Sequence, residues 1–389
     1  MTLTTDVIVI GLGAAGAAVA CRLAKRGARV IALDRHQPPH DHGSSHGESR
    51  ITRQAIGEGD IYVPLALRAH RLWRELEVET GATLMESVGA LVIGGIDDGA
   101  AHTGKRDFVR NTIAAARRFD IPHELLTPAE TMRRHQALTL RGDETVYFEP
   151  GGGLLHAERC VAAQIDIATR HGAAIRAGET ALAVESEGAG VRVVTDRAVY
   201  SAGQVVVAAG PWTATLLGGD WAGRLSTFRQ VMHWFPADDP TLFSPERFPV
   251  FIWMHGAAPE DWFYGFPHLP GSAGVKIADE KFDALLAGPN DQTQLIEAGA
   301  AESIWRRHIR GRIAGISGRP GRSAACLYAM APDSRFLIGR QPGRERVIVV
   351  SACSGHGFKH SSAIGDLVAE LAADGRTPSD LAPFALDLV

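Results

Sequence analysis

Residues 6–16 read DVIVIGLGAAG, and the fold turns on them. Asp6 to Ile10 is a short β-branched run of the kind that forms a buried parallel strand. Gly11, Gly13 and Gly16 follow in a G-x-G-x-x-G pattern, Ala14 to Lys25 is rich in helix formers, and Gly27 can stop that helix. Arg29 to Leu33 (RVIAL) supplies a second strand, with Asp34 at its end. Strand, glycine turn, helix, strand and acid in this order make a βαβ dinucleotide-binding unit. Gly11 permits the tight turn, Gly13 lets the backbone approach a pyrophosphate, and Gly16 allows close helix–strand packing. The helix start offers free N–H groups and a positive dipole end to the phosphates. Asp34 can accept hydrogen bonds from a ribose diol. The pattern does not separate FAD from NAD. Its place at the start of the chain points to FAD, because such a unit opens many flavoproteins.

Around that unit, 389 residues with 45% hydrophobic and 22% charged content are enough for two domains, which can be interleaved. A formal charge of −4 speaks against a basic nucleic-acid binder. Only five of the basic residues are lysine (Lys25, Lys105, Lys276, Lys281, Lys359), so a lysine can mark a place where arginine will not serve. Four cysteines without a CxxC pair fit a reducing compartment and no disulfide scaffold. The uncharged run Val7 to Cys21 is too short to span a membrane, and Asp6 stands where a signal peptide would be basic. A soluble, cytoplasmic protein is expected, without a membrane or nucleic-acid partner.

Beyond Asp34, Gln37 to Tyr62 reads as loop. His40, His42 and His46 lack any recognised ligand spacing, so no metal is expected. Arg50 and Arg53 lie three apart; a helix from Ser49 onward would place both on one face, either for anion handling or as a solvated basic face. A helix closing over Trp73 to Gly81, a strand over Leu91 to Ile96, an amphipathic helix from Lys105 to Phe119 and a helix over Ala157 to His171 follow. Strands are expected over Ala181 to Ser186, Val191 to Thr195, Gln204 to Ala209 and Arg346 to Ser351, the last leading through SGHGFK (Ser354 to Lys359) into a helix from Ser361 to Ala373. The segment Phe228 to Lys281 is dense in aromatics (among them Trp234, Phe235, Trp253, Phe263 and Tyr264), which can wall a substrate pocket or form core.

Several of these stretches carry a resemblance. PPHDHGSSHGESRITR (Pro38 to Arg53), GEG (Gly57 to Gly59), YVPLALRA (Tyr62 to Ala69), VVVAAGPW (Val205 to Trp212), YGFP (Tyr264 to Pro267, expected as a turn), GVKI (Gly274 to Ile277, expected as a strand), the C-x-Y-x-x-x-P-D context of Cys326 and SGHGFK resemble, in order, the motifs of the monomeric sarcosine oxidase and N-methyl-L-tryptophan oxidase family. The resemblance runs from about residue 5 to residue 385. It implies an α/β flavoprotein of the glucose–methanol–choline or D-amino-acid-oxidase type. A Rossmann-like FAD-binding domain (1–85, 148–217 and 320–389) would be interleaved with an α+β substrate domain carrying a mixed sheet (86–147 and 218–319).

The resemblance also implies roles. Ser45, His46 and Arg50 would contact the flavin, as would Gly355, His356, Gly357 and Phe358. Arg53 and Lys359 would hold a substrate carboxylate, and Tyr264 would belong to the substrate site. Lys276 would sit above the flavin and stabilise the negative charge that develops as oxygen is reduced. His356 is a conceivable general base. Cys326, which by residue type alone reads as an inert buried thiol, would carry FAD through an 8α-S-cysteinyl link. The chain departs from the pattern at Glu280, where many members have histidine, and at Ala329-Met330, where Thr-Asn is usual. The implied reaction is oxidation of a secondary, N-methyl amino acid to an imine, then formaldehyde and the primary amino acid, with O2 reduced to H2O2 by a monomeric enzyme. A cyclic imino-acid oxidase, a flavin dehydrogenase and a non-catalytic ligand binder are the alternatives. The aromatic segment leans toward a larger side chain.

Overall fold

The computed structural model describes residues 3–95, 107–376 and 378–386. Two large sheets dominate. The first has eight strands, and its parallel centre is Val30–Asp34, Leu3–Ile10, the end of Val199–Val207, and Arg344–Ser351. Val9 lies level with Ala32 on one side and with Val206 on the other, and all three are fully buried. Such double-faced burial is why these strands read as continuous apolar runs. One face is covered by the helix Ala14–Lys25, which packs between helices Ala157–Arg170 and Ser361–Asp374. The crossing with the last helix is close: a Cβ on Gly365 would stand 2.5 Å from the Cβ of Ala18.

The second sheet has nine strands. Its members run antiparallel except for the parallel pair Ala90–Gly94 and Val250–Met254, so it is mixed. Its outer face packs Phe235, Phe251, Trp253, Phe263 and Ile277 against Ile304, Ile309 and Ile313 of the covering segment. A three-stranded sheet joins the two halves: Ser49–Thr52 pairs with Gly153–His156, which pairs with Met85–Glu86.

Two sequence expectations change, and two further placements come from the fold. Arg50 lies in a strand, not a helix, and Arg53 just beyond it, so helical spacing does not place them together. Tyr264 to Pro267 is the interior of the strand Trp262–His268 rather than a turn. Arg322–Met330, which carries Cys326, pairs along its length with Ser226–Phe235 in the second sheet, although it falls within the cofactor segment expected from residue 320. Most of the aromatics between Phe228 and Lys281 are sheet core; Tyr264 and Phe266 are the ones that line the cavity. Ile96 and Lys105 lie outside the described residues. No helix among the described residues is long and apolar enough to cross a membrane.

Candidate active site

A cavity of about 430 Å³ runs from the glycine turn to the inner face of the second sheet. At its first end Gly11 has φ +92°, and a Cβ there would lie 2.5 Å from the Ala208 carbonyl oxygen. Gly16 is packed still more tightly: its Cβ would lie 1.8 Å from the oxygen of Gly11. Gly13 stays bare at the helix start, where Ala14 N–H donates to Ser45 Oγ at 3.0 Å. Asp34 accepts from the N–H of Leu12 at 2.7 Å and of His36 at 2.8 Å, with His40 Nε2 at 3.3 Å. Burial opposes its charge, but His40 and these N–H groups outweigh it and lower the pKa. A dinucleotide fits this end: the backbone is bare at the helix start, and a charged acid lines the cavity at the end of the second strand.

Further in, the loop from Ser44 to Ser49 forms one wall. Glu158 in the first turn of its helix accepts from the N–H of Gly47 (2.7 Å) and Glu48 (3.1 Å). The Glu48 side chain accepts from Trp234 Nε1 (2.8 Å) and Arg322 (2.6 Å). So held, the loop turns two carbonyls inward, and Lys276 Nζ donates to both, Gly47 O at 2.9 Å and Ser49 O at 2.5 Å. Nζ also lies 3.8 Å from the centre of the Phe266 ring. Burial, then the Arg50 guanidinium, push its pKa well down. A full ammonium there gains stability when negative charge arrives beside it. Arg50 donates to Ser49 O and Ser44 O, each at 2.9 Å, with its guanidinium 5.9 Å from the Phe358 ring centre.

The far end is a buried charge cluster. Arg53 is 1% exposed; it donates to Ala55 O and pairs with Glu58 Oε2 at 2.6 Å. Lys359 Nζ donates to His356 O at 2.7 Å and stands 3.8 Å from Glu58 Oε1. Burial pushes the Lys359 pKa down to about 8. Two cations thus share one carboxylate, an arrangement ready for a second anion. Tyr264, Tyr328 and Glu280 complete this end.

Of the other expected residues, Gly355, His356, Gly357 and Phe358 line the cavity; a Cβ on Gly357 would lie 1.5 Å from the Ala352 oxygen. His46 is buried and off the cavity wall. The His356 ring is clamped against Phe336 (4.8 Å) and Tyr62 (4.7 Å), with Nε2 3.3 Å from the Ser334 carbonyl. That packing suits a support for the turn better than a base. Cys326 lies in an apolar cluster with Met232, Tyr328 and Met330 and is not on the cavity wall, whereas Cys353 is. Burial pushes the Cys326 thiol up to about 11. Glu58 and Tyr328 were not singled out as site residues, although an acid between two glycines, five positions after Arg53, was a visible signal for the first.

The family profile described as FAD dependent oxidoreductase matches residues 6–371. The chain is 36% identical over 387 residues to the monomeric sarcosine oxidase of Streptomyces avermitilis, covering 99% of this chain and 97% of that one. It is 35% identical over 392 residues to the N-methyl-L-tryptophan oxidase of Yersinia pestis, covering 98% of each. Among solved structures it is similar to NikD, an unusual amino acid oxidase essential for nikkomycin biosynthesis, with TM-score 0.83 and 28% identity over 99% of this chain and 98% of that one.

The charge cluster predicts how an amine-free carboxylate binds. Above pH about 8 Lys359 loses its charge and Glu280, whose pKa is raised to about 8, gains one. Both changes oppose an anion, so butyrate affinity, followed by perturbation of cofactor absorbance, should fall as pH rises through that range. Lys359→Gln should weaken butyrate binding near neutral pH by roughly 10- to 100-fold, the worth of one charge-assisted hydrogen bond, and flatten the profile.

Proposed function

Because the chain belongs to the FAD-dependent oxidoreductase family, with the monomeric sarcosine and N-methyl-L-tryptophan oxidases, and so is an oxidase of CH–NH donors, we propose that its substrate is a secondary, N-methyl amino acid. The observation that carries this reading is the buried Arg53–Glu58–Lys359 cluster at the inner end of the cavity. A carboxylate held there by two cations leaves the amine and its neighbouring carbons to point back along the cavity. Bound FAD supplies the two-electron oxidation of that carbon and the return of the electrons to oxygen.

The protein's own residues do the rest. Gly11, Gly13, Ser45 and Asp34 hold the dinucleotide end, and Arg50, Phe358 and the Gly355–Gly357 turn pack around the inner part of the cavity. Tyr264 and Phe266 form the apolar wall that keeps water from the reacting carbon. Lys276, fixed by two carbonyls, sits ready to stabilise the negative charge that develops on oxygen. Of the segment Phe228 to Lys281 only Tyr264 and Phe266 are aromatics that line the cavity, so that segment gives no ground for preferring a large side chain. We further propose that FAD is carried on Cys326 through an 8α-S-cysteinyl bond and that the enzyme acts as a monomer. Water hydrolyses the imine product, so an N-methyl substrate yields formaldehyde and the primary amino acid.

In a screen of N-methylated and cyclic amino acids under air, at least one N-methyl compound should release H2O2 in proportion to substrate consumed. Peroxide from cyclic compounds alone would move the substrate class to imino acids. Lys276→Met should slow reoxidation of the reduced enzyme by roughly 100-fold or more while changing anaerobic flavin reduction far less; equal losses would remove its oxygen role. Acid precipitation should leave the yellow colour in the pellet, and Cys326→Ala should release it to the supernatant.

A further inference from the structure

Glu280 is the acid that replaces the histidine of the family pattern, and the structure puts it in the cavity. It follows directly after the strand Val275–Ala278 that carries Lys276, with Asp279 between. Its side chain is 7% exposed, lines the cavity, and has an Oε2 buried with no hydrogen-bond partner. It reaches over the bare backbone of Gly355, where a Cβ would stand 3.1 Å from Oε1. A carboxyl oxygen left unpartnered inside a protein is destabilising unless something arrives to bond it. Tyr328, from another strand of the same sheet, hydrogen-bonds the carboxyl, which leaves Oε2 as the oxygen without a partner; the other groups facing it are Tyr264, Cys326, Lys359 and Glu58 from the carboxylate end, and Asp279 beside it.

These neighbours say what the missing partner is. An incoming carboxylate belongs to Arg53 and Lys359, which already share Glu58. A donor, and best a cationic one, is what the free oxygen lacks. An amino acid whose carboxylate is fixed at Arg53 and Lys359 brings its ammonium within a few bonds of that carboxylate. Building on the proposed function, we infer that Glu280 is a catalytic residue that binds the substrate's secondary ammonium and removes its proton.

The step is a plain proton transfer. The N–H bond of the ammonium breaks, an O–H bond forms on the Glu280 carboxylate, and no electrons change hands. The nitrogen keeps its lone pair, which the adjoining carbon needs if it is to be oxidised to an imine. Burial raises the Glu280 carboxyl to a pKa of about 8, so in the ligand-free protein it is protonated at neutral pH. An ammonium arriving beside it favours the charged form, and the carboxyl proton leaves to solvent as substrate binds. The carboxylate so formed stands beside the ammonium and can take its proton as the adjoining carbon is oxidised.

The test is anaerobic reduction of the FAD-loaded enzyme by an N-methyl amino acid, from about pH 6 to about pH 10, in wild type, Glu280→Gln and Glu280→Asp. Glu280→Gln should reduce roughly 100-fold more slowly near pH 7, and the gap should close as pH rises and the substrate amine deprotonates in solution. Glu280→Asp should keep most of the wild-type rate. Butyrate, which has the length of sarcosine but no amine, should bind Glu280→Gln and wild type within about twofold near pH 7, because Glu280 carries no charge there in the absence of an ammonium. An unchanged rate, or the same fractional loss at every pH, overturns the role of Glu280. If Glu280→Gln does not fold, the wild-type profile decides: the rate must level off below the pKa of the substrate amine, and a rate that climbs through it overturns the proposal. If wild type is reduced by no N-methyl amino acid, the proposed function itself fails and this role falls with it; reduction of wild type with no pH-dependent deficit in the variant refutes Glu280 alone.

Discussion

The site rests on charge buried where water cannot reach it. Arg53 and Glu58 are each almost fully enclosed, and Lys359 is nearly so. A lone ion in that position would cost several kcal/mol, so each must be paired and hydrogen-bonded. The surrounding structure does this through backbone as much as through side chains. Glu149, at the end of a second-sheet strand, accepts from the N–H of Gln54 (2.6 Å) and Ala55 (3.1 Å) and from the Tyr147 hydroxyl (2.9 Å). That fixes the turn after Arg53. Gly57 lets the turn press on the next layer, since a Cβ there would lie 2.5 Å from Thr112 Oγ1. The second sheet therefore does more than cover the cavity: it sets where the cations stand.

The same economy explains the wall that carries Lys276. Among the described residues no carboxylate pairs with Lys276, which suits the oxygen role proposed for it, since a fixed anion would cancel its charge. Two carbonyls of the Gly47–Ser49 stretch hold it instead, and the stretch is held in turn by Glu158 behind it and by the outward side chain of its own Glu48. Carbonyl dipoles orient an ammonium without neutralising it. Two cations at the far end for the proposed substrate carboxylate, Glu280 beside them, and Lys276 on the wall nearer the dinucleotide end, proposed to serve oxygen, give the cavity a direction. An amino acid has one way to satisfy all three.

What could be read from sequence was local or carried by motif. The helix over Ala14 to Lys25 has the predicted bounds, because its start is set by Gly13 and its end by Gly27 within a few residues. The parallel strands were readable because burial on both faces leaves an unbroken apolar run. What failed depended on distant partners. Ser49–Thr52 is a strand only because Gly153–His156 pairs with it, and no local pattern announces that pairing. Tyr264 to Pro267 has turn-like composition, yet the strand Val250–Met254 on one side and Val275–Ala278 on the other draw it into the sheet. Arg322–Met330 joins the second sheet by its long pairing with Ser226–Phe235, which no segment count could place. Glu280 stood out in the sequence as a departure; its meaning needed the unpartnered oxygen and the neighbours that only the fold brings to it.

The orientation of the bound amino acid is the centre of the account, and a crystal structure of the FAD-loaded protein with a slowly oxidised N-methyl amino acid tests it most directly. The predicted result is a carboxylate on Arg53 and Lys359, an amine nitrogen within hydrogen-bond distance of Glu280, and the carbon to be oxidised lying over the flavin ring. A ligand turned end for end, with its carboxylate at Lys276 and its amine away from Glu280, would contradict the account.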